Sequence, residues 1–280
     1  MKIAVLGAGI SGLGSAYILS SKHEVDLYEK DNRLGGHART TTVNDEDKTF
    51  GVDTGFLVFN EPTYPLLTKL FKQLDVKIEN SDMSFAFWDK IKNIAYNGSS
   101  IKGMFAQKRN LFSLNHYKMI KDILDFNEKA NSDLLYNNLN LDKSLGEYIS
   151  SYSKAFKERY ILPMGAAIWS TPSDEMNDFP ARTFLTFFKN HGLLGIDSHH
   201  QWLTVSNGSI NYVNKIKEKI SGKIILNSNV IKIQRVENGV YLIHKNGEKT
   251  FYDKVVLAMH APDALKILDD ATAKETEILS

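Results

Sequence analysis

The sequence predicts an α/β fold in which a doubly wound parallel sheet is built from two separated parts of the chain. Three observations predict it. The first thirty residues show strand, helix and strand patterns in turn, residues 61–202 show mainly amphipathic helical patterns, and strand patterns return after residue 203. The predicted domains are therefore 1–60 joined with 203–280, and an inserted domain of residues 61–202.

Composition narrows the class of protein before any motif is considered. The chain has 280 residues, with 34 Lys and Arg against 33 Asp and Glu. A net charge of +1 gives no general attraction to nucleic acid, so we expect no nucleic-acid partner. The absence of cysteine excludes disulfides, thiolate metal ligands and a cysteine nucleophile. The N-terminus lacks a leader pattern and no long apolar run is present, which predicts a cytoplasmic location without a transmembrane segment.

The first predicted unit is a βαβ motif. KIAVLG is a short apolar run typical of a buried parallel strand. Gly7, Gly9 and Gly12 follow as G-x-G-x-x-G, and a helical pattern begins inside this loop. EVDLYE is predicted as the second strand, and it ends on Glu29. This spacing of glycines and acid is typical of a dinucleotide site.

Each part of this motif has a physical role in binding a nucleotide. Gly7 allows the tight turn, Gly9 lets the backbone approach a pyrophosphate, and Gly12 permits close packing of the helix on the strand. The N–H groups of Ile10 and Ser11, at the start of the helix, would face the anion. Glu29 would accept hydrogen bonds from a ribose and would disfavour a 2'-phosphate, which argues against NADP. The alternative is a tight βα turn without a ligand.

A second glycine pair follows in RLGGHART, residues 33–40. A loop that leaves the second strand at the carboxyl edge of the sheet lies over the crevice where ligands of open α/β sheets bind. Gly35 and Gly36 would let the backbone come close to a pyrophosphate or ribitol, and Arg33 and Arg39 would supply cationic donors. NAD and FAD share their ADP half, so the first motif leaves both open, and this second loop favours FAD.

The two loops resemble those of the FAD-dependent amine oxidase superfamily, which includes monoamine oxidases, protoporphyrinogen oxidase and phytoene desaturases. That superfamily has an R-x-G-G-R motif here, and this chain has R-L-G-G-H, with His37 in place of the last arginine. We interpret His37 as a stand-in for that arginine, and Arg39 as a further candidate for its contact. Segments along the rest of the chain also resemble those of one bacterial subfamily of predicted NAD/FAD-binding amine-oxidase-like proteins.

The resemblance implies a fold, a cofactor and further site residues. The fold would be a Rossmann-like FAD-binding domain of the GR2 type with an inserted, mainly helical substrate domain. FGVDTGFLVFN looks like the Asp-x-Gly segment near the flavin, in which Asp53 is followed by Thr54, Gly55 and Phe56. Val230 matches the position whose backbone faces the adenine. The superfamily continues into a glycine-rich segment that closes over the flavin, whereas this sequence ends at ETEILS. It is therefore either a fragment or a shortened relative.

The function implied is that of an FAD-dependent oxidoreductase that transfers hydride from a substrate C–H bond to flavin N5. The substrate would be an amine, or an acyl or isoprenoid chain as in a desaturase, and the sequence leaves these alternatives open. The other class is a non-catalytic nucleotide- or lipid-binding protein with the fold of GDP dissociation inhibitors. We assign no catalytic residue and no oligomeric state.

The remaining elements are predicted from apolar periodicity. We expect a helix in TYPLLTKLFKQLDV, short strands in MSFAFW and IAYNGSS, a long helix in LNHYKMIKDILDFNEKANSDLL and a helical pair in SLGEYISSYSKAFKERYILPM. Pro163 should break the second helix of that pair. In the last part, SINYVNKIKEKI predicts a helix, KIILNSNVIKIQRV predicts strands, and a hairpin around Asn246 and Gly247 should lead into a buried strand.

Three further features could be functional sites but also have an ordinary structural interpretation. His191, His199 and His200 lack companions at metal-ligand spacing, so we predict no metal site. Trp169 could line a substrate cavity or belong to the core. KRNLFSLNHYKMIK mixes bases with apolar residues; we interpret it as a solvated helix face, with peripheral contact to an acidic phospholipid surface as the alternative.

Overall fold

A computed structural model describes residues 1–98, 100–195 and 200–280 of the chain. Backbone contacts divide these residues into two compact units. The first unit contains Met1–Phe59, Tyr64–Asn80 and Leu203–Ser280, and the second contains Asn60–Thr63 and Ser81–Trp202. Both helices and strands are present, and the α/β class that the sequence predicts is confirmed.

The chain begins with the predicted strand, helix and strand and continues into a hairpin, a helix and a short strand. These elements are β1 (Lys2–Leu6), α1 (Ile10–Ser20), β2 (Glu24–Tyr28), β3 (Thr40–Asp45), β4 (Lys48–Asp53), α2 (Pro65–Gln73) and β5 (Ile78–Ser81).

The middle of the chain is mainly helical, with one hairpin at its start. Its strands and α-helices are β6 (Ala86–Asp89), β7 (Ile94–Asn97), α3 (Ile101–Met104), α4 (Leu114–Leu135), α5 (Leu145–Tyr148), α6 (Lys154–Phe156), α7 (Leu162–Trp169) and α8 (Ala181–Asn190). Short 3-10 turns lie at Lys108–Phe112, Leu139–Asp142 and Glu175–Asp178, and a π-helical turn lies at Lys157–Ile161.

The last part of the chain returns to strands and short helices. Its elements are β8 (Trp202–Val205), α9 (Ile210–Lys217), β9 (Ile224–Ile225), β10 (Val230–Val236), β11 (Gly239–His244), β12 (Lys249–Tyr252), β13 (Lys254–Leu257), α10 (Ala261–Ile267) and α11 (Ala273–Leu279).

The first unit is organised around a four-stranded sheet in the order β13-β1-β2-β9, in which all paired neighbours are parallel. The apolar run of β1 explains its central place, because both of its faces are covered, and Val5 and Ala4 are fully buried. The edge strand β13 was expected to be buried, but it is only half-buried, since it has a sheet neighbour on one side only. β10, β11 and β12 form a separate antiparallel sheet.

Residues 64–80 belong by their contacts to the first unit, although the predicted insert begins at residue 61. Phe71 of α2 and Leu74, directly after this helix, lie in one apolar cluster with Phe59 and Tyr212. The rings of Phe71 and Phe59 meet edge to face with centroids 5.2 Å apart. Buried aromatic pairs of this kind dominate core energetics, which accounts for the packing of α2 with the sheet-bearing part of the chain.

The second unit has its own core, rich in aromatic side chains. Phe126 of α4, Phe156 of α6 and Phe184 of α8 are fully buried in it. Trp169 packs against this core, with its ring centroid 4.7 Å from that of Phe179 and 4.8 Å from that of Phe187. Of the two interpretations of Trp169, these contacts favour a packing role.

Pro163 does not break the helical backbone, and that prediction is wrong. α6 continues through the π-helical turn into α7, which contains Pro163 in its first turn. The N–H of Leu162 reaches back to the carbonyl of Lys157, five residues earlier. A proline is tolerated where its missing N–H would have had no standard partner, and the wider π turn ahead of it supplies that place.

No helix within the described residues is long and apolar enough to span a bilayer.

Candidate functional site

The first glycine loop, between β1 and α1, has one open position. Apart from its chain neighbours, no heavy atom lies within 4 Å of the point where a Cβ on Gly9 would stand. A Cβ on Gly12 would instead overlap the carbonyl oxygen of Gly7, so Gly12 is needed for close packing. The N–H groups of Ile10 and Ser11 begin α1 and have no partner within the helix. The loop therefore leaves space beside a helix N-terminus.

Glu29 follows the last residue of β2 and turns back toward this loop. Its Oε2 accepts a hydrogen bond from the N–H of Ala8 at 2.7 Å, and its Oε1 accepts one from the N–H of Asp31 at 3.0 Å. Glu29 is only 8% exposed. A carboxylate can accept about four hydrogen bonds, so two backbone donors leave acceptor capacity for a ligand hydroxyl.

The second glycine loop is joined to the first. The N–H of Gly35 donates to the carbonyl of Ala8 at 2.8 Å. Gly36 has φ +56°, and a Cβ on it would stand 3.0 Å from the Cα of Gly9. Glycine is therefore required here both by the left-handed backbone and by the close approach of the two loops. The sequence-predicted glycines 9, 35 and 36 are brought together.

The arginines of the second loop have different surroundings. Arg33 donates from Nη1 to the carbonyl of Gly36 at 3.0 Å, so its guanidinium fixes the shape of the loop. Arg39 is exposed, and its carbonyl accepts from the N–H of Thr54 at 2.9 Å. The side chain of Arg39 is thus the better placed of the two cations for a ligand in solvent.

The third predicted segment, after β4, lies against the second loop. The N–H of Phe56 donates to the carbonyl of His37 at 3.0 Å. Gly55 packs so closely on the His37 backbone that a Cβ would overlap the His37 carbonyl oxygen. The His37 side chain is exposed. His37 therefore supports the arrangement of the loops through its backbone.

Asp53, just before this segment, serves the fold. Its carboxylate accepts from the N–H of Ser209 at 2.9 Å and from the Ser209 hydroxyl at 2.7 Å, and it also accepts from the hydroxyl of Thr40. Ser209 is fully buried at the start of α9. Asp53 thus ties the end of β4 to that helix. The sequence carries no local signal of this pairing, because the two residues are 156 positions apart.

Val230 is the first residue of β10 and is half-buried. It pairs with His244 of β11, and the register shifts between Val230 and Lys232, as at a β-bulge. Two residues earlier, the N–H of Ser228 donates to the carbonyl of Glu29 at 2.8 Å. The chain that leads to Val230 therefore runs beside the end of β2.

A cavity of about 490 Å³ lies in the first unit beside the second glycine loop. It is bordered by that loop, by α9 and by β9, and three cations are among its lining residues. The lining residues are Arg33, Leu34, Ala38, Arg39, Thr40, Ile210, Val213, Asn214, Lys217, Ile224 and Leu226.

The histidines weighed as metal ligands have other surroundings. The His191 ring stacks on Phe187 with centroids 3.8 Å apart, and its Nδ1 lies 2.9 Å from the Phe187 carbonyl oxygen. His199 lies outside the described residues. In the part of the chain that is described, no three His, Asp or Glu side chains are grouped so as to hold a metal ion.

A dinucleotide site needs an open approach to the backbone, a helix N-terminus, a buried acceptor and a nearby cation. The open approach lies at Gly9, beside the start of α1, and Glu29 is the buried acceptor. The residues present therefore fit an ADP-containing cofactor. The fold and the site thus define an α/β protein of the dinucleotide-binding class. The chain belongs to the family of flavin-containing amine oxidoreductases, whose model matches residues 10–278. This membership confirms the predicted family and FAD as the family's cofactor.

Individual relatives cover different parts of the chain. An L-amino-acid oxidase from Bungarus fasciatus is 23% identical over 89% of this chain and 48% of its own length. A 4,4'-diapophytoene desaturase (4,4'-diaponeurosporene-forming) from Staphylococcus aureus (strain MRSA252) is 31% identical over 31% of this chain and 17% of its own length. Among solved structures, wild-type putrescine oxidase bound to putrescine has a TM-score of 0.70 at 16% identity, over the full chain and 63% of that protein. The chain therefore spans less than two thirds of these relatives.

Proposed function

We propose that this chain binds FAD and forms part of an FAD-dependent oxidoreductase. The observation that carries the proposal is the meeting of three segments at the carboxyl ends of β1 and β2. The N–H of Ala8 donates a hydrogen bond to the Glu29 carboxylate, and the carbonyl of Ala8 accepts one from the N–H of Gly35. Gly36 lies close to the backbone of Gly9. A tight turn without a ligand would need neither a buried carboxylate nor a second glycine loop beside the first.

The assigned roles follow the parts of the cofactor. The first glycine loop and the start of α1 would bind the pyrophosphate, and Glu29 would bind the adenosine ribose. The second glycine loop and the segment after Asp53 would bind the rest of FAD. Val230 would face the adenine with its backbone. The proposed cofactor-binding residues are Gly7, Gly9, Ile10, Ser11, Gly12, Glu29, Arg33, Gly35, Gly36, His37, Arg39, Thr54, Gly55, Phe56 and Val230.

Arg33 and His37 are assigned indirect roles in this site. Arg33 holds the carbonyl of Gly36, and His37 presents its carbonyl to Phe56. Each therefore shapes the loop that would contact FAD. Arg39, which is exposed, is proposed as the direct cationic contact.

The proposed domain layout is a Rossmann-like FAD-binding domain of the GR2 type, residues 1–60 and 203–280, with residues 61–202 as an inserted substrate domain. The packing of residues 64–80 with the first unit supports moving the proposed junction to about residue 81. The aromatic core of the second unit supports an insert that is folded in its own right.

When bound, FAD would supply the oxidation by accepting a hydride from a substrate C–H bond at N5. This chain's residues would hold and orient the cofactor. The substrate is proposed to be an amine, or an acyl or isoprenoid chain. Both classes have support among the relatives, in the oxidase of amino acids and in the desaturase. No catalytic residue is assigned.

The competing proposal is a non-catalytic nucleotide- or lipid-binding protein with the same fold. Two measurements on the purified chain separate the proposals. The first is titration with FAD followed by flavin fluorescence, and the second is anaerobic bleaching of the bound flavin by L-amino acids, by putrescine or by isoprenoid substrates. Binding without bleaching by any substrate would favour the non-catalytic protein. A chain that does not bind FAD at all contradicts both the cofactor site and the oxidoreductase.

A further inference from the structure

A surface of the second unit combines exposed apolar side chains with an excess of positive charge. Between residues 88 and 121 the sequence has six Lys, one Arg and one Asp, a net charge of +6 in a chain whose total is +1. We name this the basic-apolar surface. Its exposed apolar residues are Trp88, Ile91, Ile101, Leu111, Phe112, Leu114 and Tyr117. Its basic residues are Lys90, Lys92, Lys102, Lys108, Arg109, Lys118 and Lys121.

Three of the apolar side chains project almost entirely into solvent. Ile91, in the turn between β6 and β7, is 96% exposed, Phe112 is 89% exposed and Leu114 is 86% exposed. Single exposed apolar residues are ordinary on protein surfaces. Large ones grouped with cations on neighbouring segments are typical of an interaction site.

Side-chain contacts fix these segments to one another. Arg109 donates from Nη2 to the carbonyl of Lys92 at 2.7 Å, which joins the 3-10 turn to the β6–β7 turn. The hydroxyl of Tyr117 donates to the carbonyl of Leu111 at 3.1 Å, which joins α4 to the same 3-10 turn. The β6–β7 turn, the 3-10 turn and the start of α4 are therefore joined before any partner binds, which lowers the ordering entropy that binding would cost.

The first two turns of α4 present the same mixture on one face. Leu114, Tyr117, Lys118 and Lys121 are exposed at positions i, i+3, i+4 and i+7, so they share a side of the helix. Met119 is fully buried on the opposite side. A helix with an apolar and basic outer face suits the boundary between headgroups and acyl chains.

The single acid of this surface, Asp89, offsets one of the seven cations, because its Oδ2 lies 3.9 Å from Nζ of Lys92. The carboxylate of Asp89 accepts from the N–H groups of Ile91 and Lys92, each at 3.0 Å, and so serves the β-turn. The six other cations of the surface have no acid within residues 88–121 to offset them, so its net charge is positive.

The combination of apolar and basic side chains distinguishes between a protein, a nucleic acid and an anionic bilayer as the partner of this surface. A protein interface is depleted in Lys at its core, because the ammonium groups would have to be desolvated. A nucleic acid would use the cations but would leave Ile91, Phe112 and Leu114 in water. An anionic bilayer uses both, since the apolar side chains enter the acyl boundary while the long Lys side chains reach the headgroups.

We propose that the basic-apolar surface docks this chain on the headgroup layer of an anionic phospholipid bilayer. The proposal is independent of the FAD site. If FAD binding were absent and vesicle binding present, the docking proposal would stand alone, and the reverse result would leave the oxidoreductase proposal intact.

The test is co-sedimentation of the purified chain with vesicles of phosphatidylcholine, or of phosphatidylcholine in which about a third of the lipid is phosphatidylglycerol. We expect binding to the anionic vesicles only, and weaker binding as salt is raised. The variant Phe112→Ser/Leu114→Ser should bind at least about tenfold more weakly, because two exposed apolar side chains are lost. Leu135→Ser/Leu139→Ser removes two exposed leucines outside the surface and should bind as the unchanged chain does.

Charge is tested separately. Lys118→Glu/Lys121→Glu should weaken vesicle binding about tenfold or more, whereas Lys219→Glu/Lys249→Glu, at exposed sites elsewhere, should have a much smaller effect. Failure of the chain to bind anionic vesicles overturns the proposal. Equal binding of the Phe112→Ser/Leu114→Ser variant and the unchanged chain also overturns it. Binding to single-stranded DNA that depends on the lysines but not on Phe112 and Leu114 would identify a nucleic-acid surface instead.

Discussion

The carboxylate of Glu29 accepts a hydrogen bond at 2.7 Å from the N–H of Ala8 in the first glycine loop, 21 positions earlier in the chain. A group proposed to bind a ribose thus also fixes the loop that would receive the pyrophosphate. Replacement of Glu29 should therefore affect both cofactor binding and folding.

Glu29→Gln should lower the affinity for FAD about tenfold and the free energy of unfolding by about 1–3 kcal/mol, because a charged acceptor of hydrogen bonds is lost from a buried position. Fluorescence titration measures the first effect, and urea unfolding without FAD measures the second. Glu24→Gln, at the exposed start of β2, the strand that Glu29 follows, is the matched control. A Glu29→Gln chain that binds FAD as tightly as the unchanged chain would contradict the ribose role.

Gly9→Ala should separate binding from folding. The backbone at Gly9 has φ −70° and the Cβ would meet open space, so the free energy of unfolding should stay within about 0.5 kcal/mol of the unchanged chain. The same methyl group would stand where the pyrophosphate backbone contact is proposed, and FAD affinity should fall about tenfold or more. Isothermal titration with FAD, paired with thermal unfolding, measures both.

Gly14→Ala is the control for this experiment, because Gly14 lies in α1, the helix that Gly9 precedes, and its Cβ would also be unobstructed. It should stabilise α1 by about 0.5–1 kcal/mol and leave FAD binding unchanged. Similar losses of FAD affinity in both variants would show that the effect comes from the helix rather than from the approach at Gly9.

His37→Arg should retain FAD binding within about threefold. The His37 side chain is exposed, and its contacts to Phe56 and Arg39 are made by its carbonyl oxygen, which any residue supplies. Flavin content after purification and an FAD titration measure the outcome. Loss of the flavin from this variant would assign the imidazole itself a contact with the cofactor.

Asp53→Ala should destabilise the chain by about 2–3 kcal/mol, because the N–H and hydroxyl of the buried Ser209 would lose their acceptor. Urea unfolding of the chain without FAD is the measurement. Asp47→Ala, in the exposed turn of the same hairpin, should change the free energy of unfolding by no more than about 0.5 kcal/mol. Equal stability of the two variants would argue against the structural role of Asp53.

The buried histidine His116 should make stability depend on pH. Its ring is 1% exposed and lies between those of Tyr96 and Phe105. Burial lowers its pKa below the ordinary value of 6.5, more than a contact with the Met104 backbone raises it, and the nearby Arg159 guanidinium lowers it further. The neutral ring is therefore favoured in the folded chain.

The unfolded chain binds a proton at His116 before the folded chain does. The contribution of His116 to the free energy of unfolding is therefore fully present above pH 6.5. It is lost as the pH falls toward the pKa of His116 in the folded chain, at up to about 1.4 kcal/mol per pH unit. His116→Phe should remove this part of the slope in urea unfolding between neutral and mildly acidic pH. His260→Gln, at an exposed position, should keep the slope. An unchanged slope in His116→Phe would refute the assignment.

The local elements of the chain could be predicted from the sequence because their signals are local. The helix Leu114–Leu135 has the bounds that its apolar spacing indicates, and the first strand, helix and strand are confirmed. The glycine loops could be placed at one sheet edge because consecutive parallel strands end there.

What depends on distant contacts could not be predicted. Asp53 finds its partner 156 residues away, and α2 joins the first unit through rings such as that of Tyr212. At Pro163 the periodic pattern carries no sign of the π-helical turn that accommodates the ring. The substrate and the catalytic groups have no local signature in this chain either, and the resemblance to several enzyme types leaves the substrate class open.

The strand order β13-β1-β2-β9 determines when the strands of this sheet can pair during synthesis of the chain. β1 and β2 are close together in the chain, but their outer neighbours begin only at Ile224 and Lys254. Each of these pairings has to close a long loop before it gains any contact, which makes it late and slow. The face of β1 that carries Ala4 and Leu6 packs against residues of β10, β11 and β12, so it stays uncovered until those strands are made, and a nascent chain with exposed apolar surface is prone to aggregate.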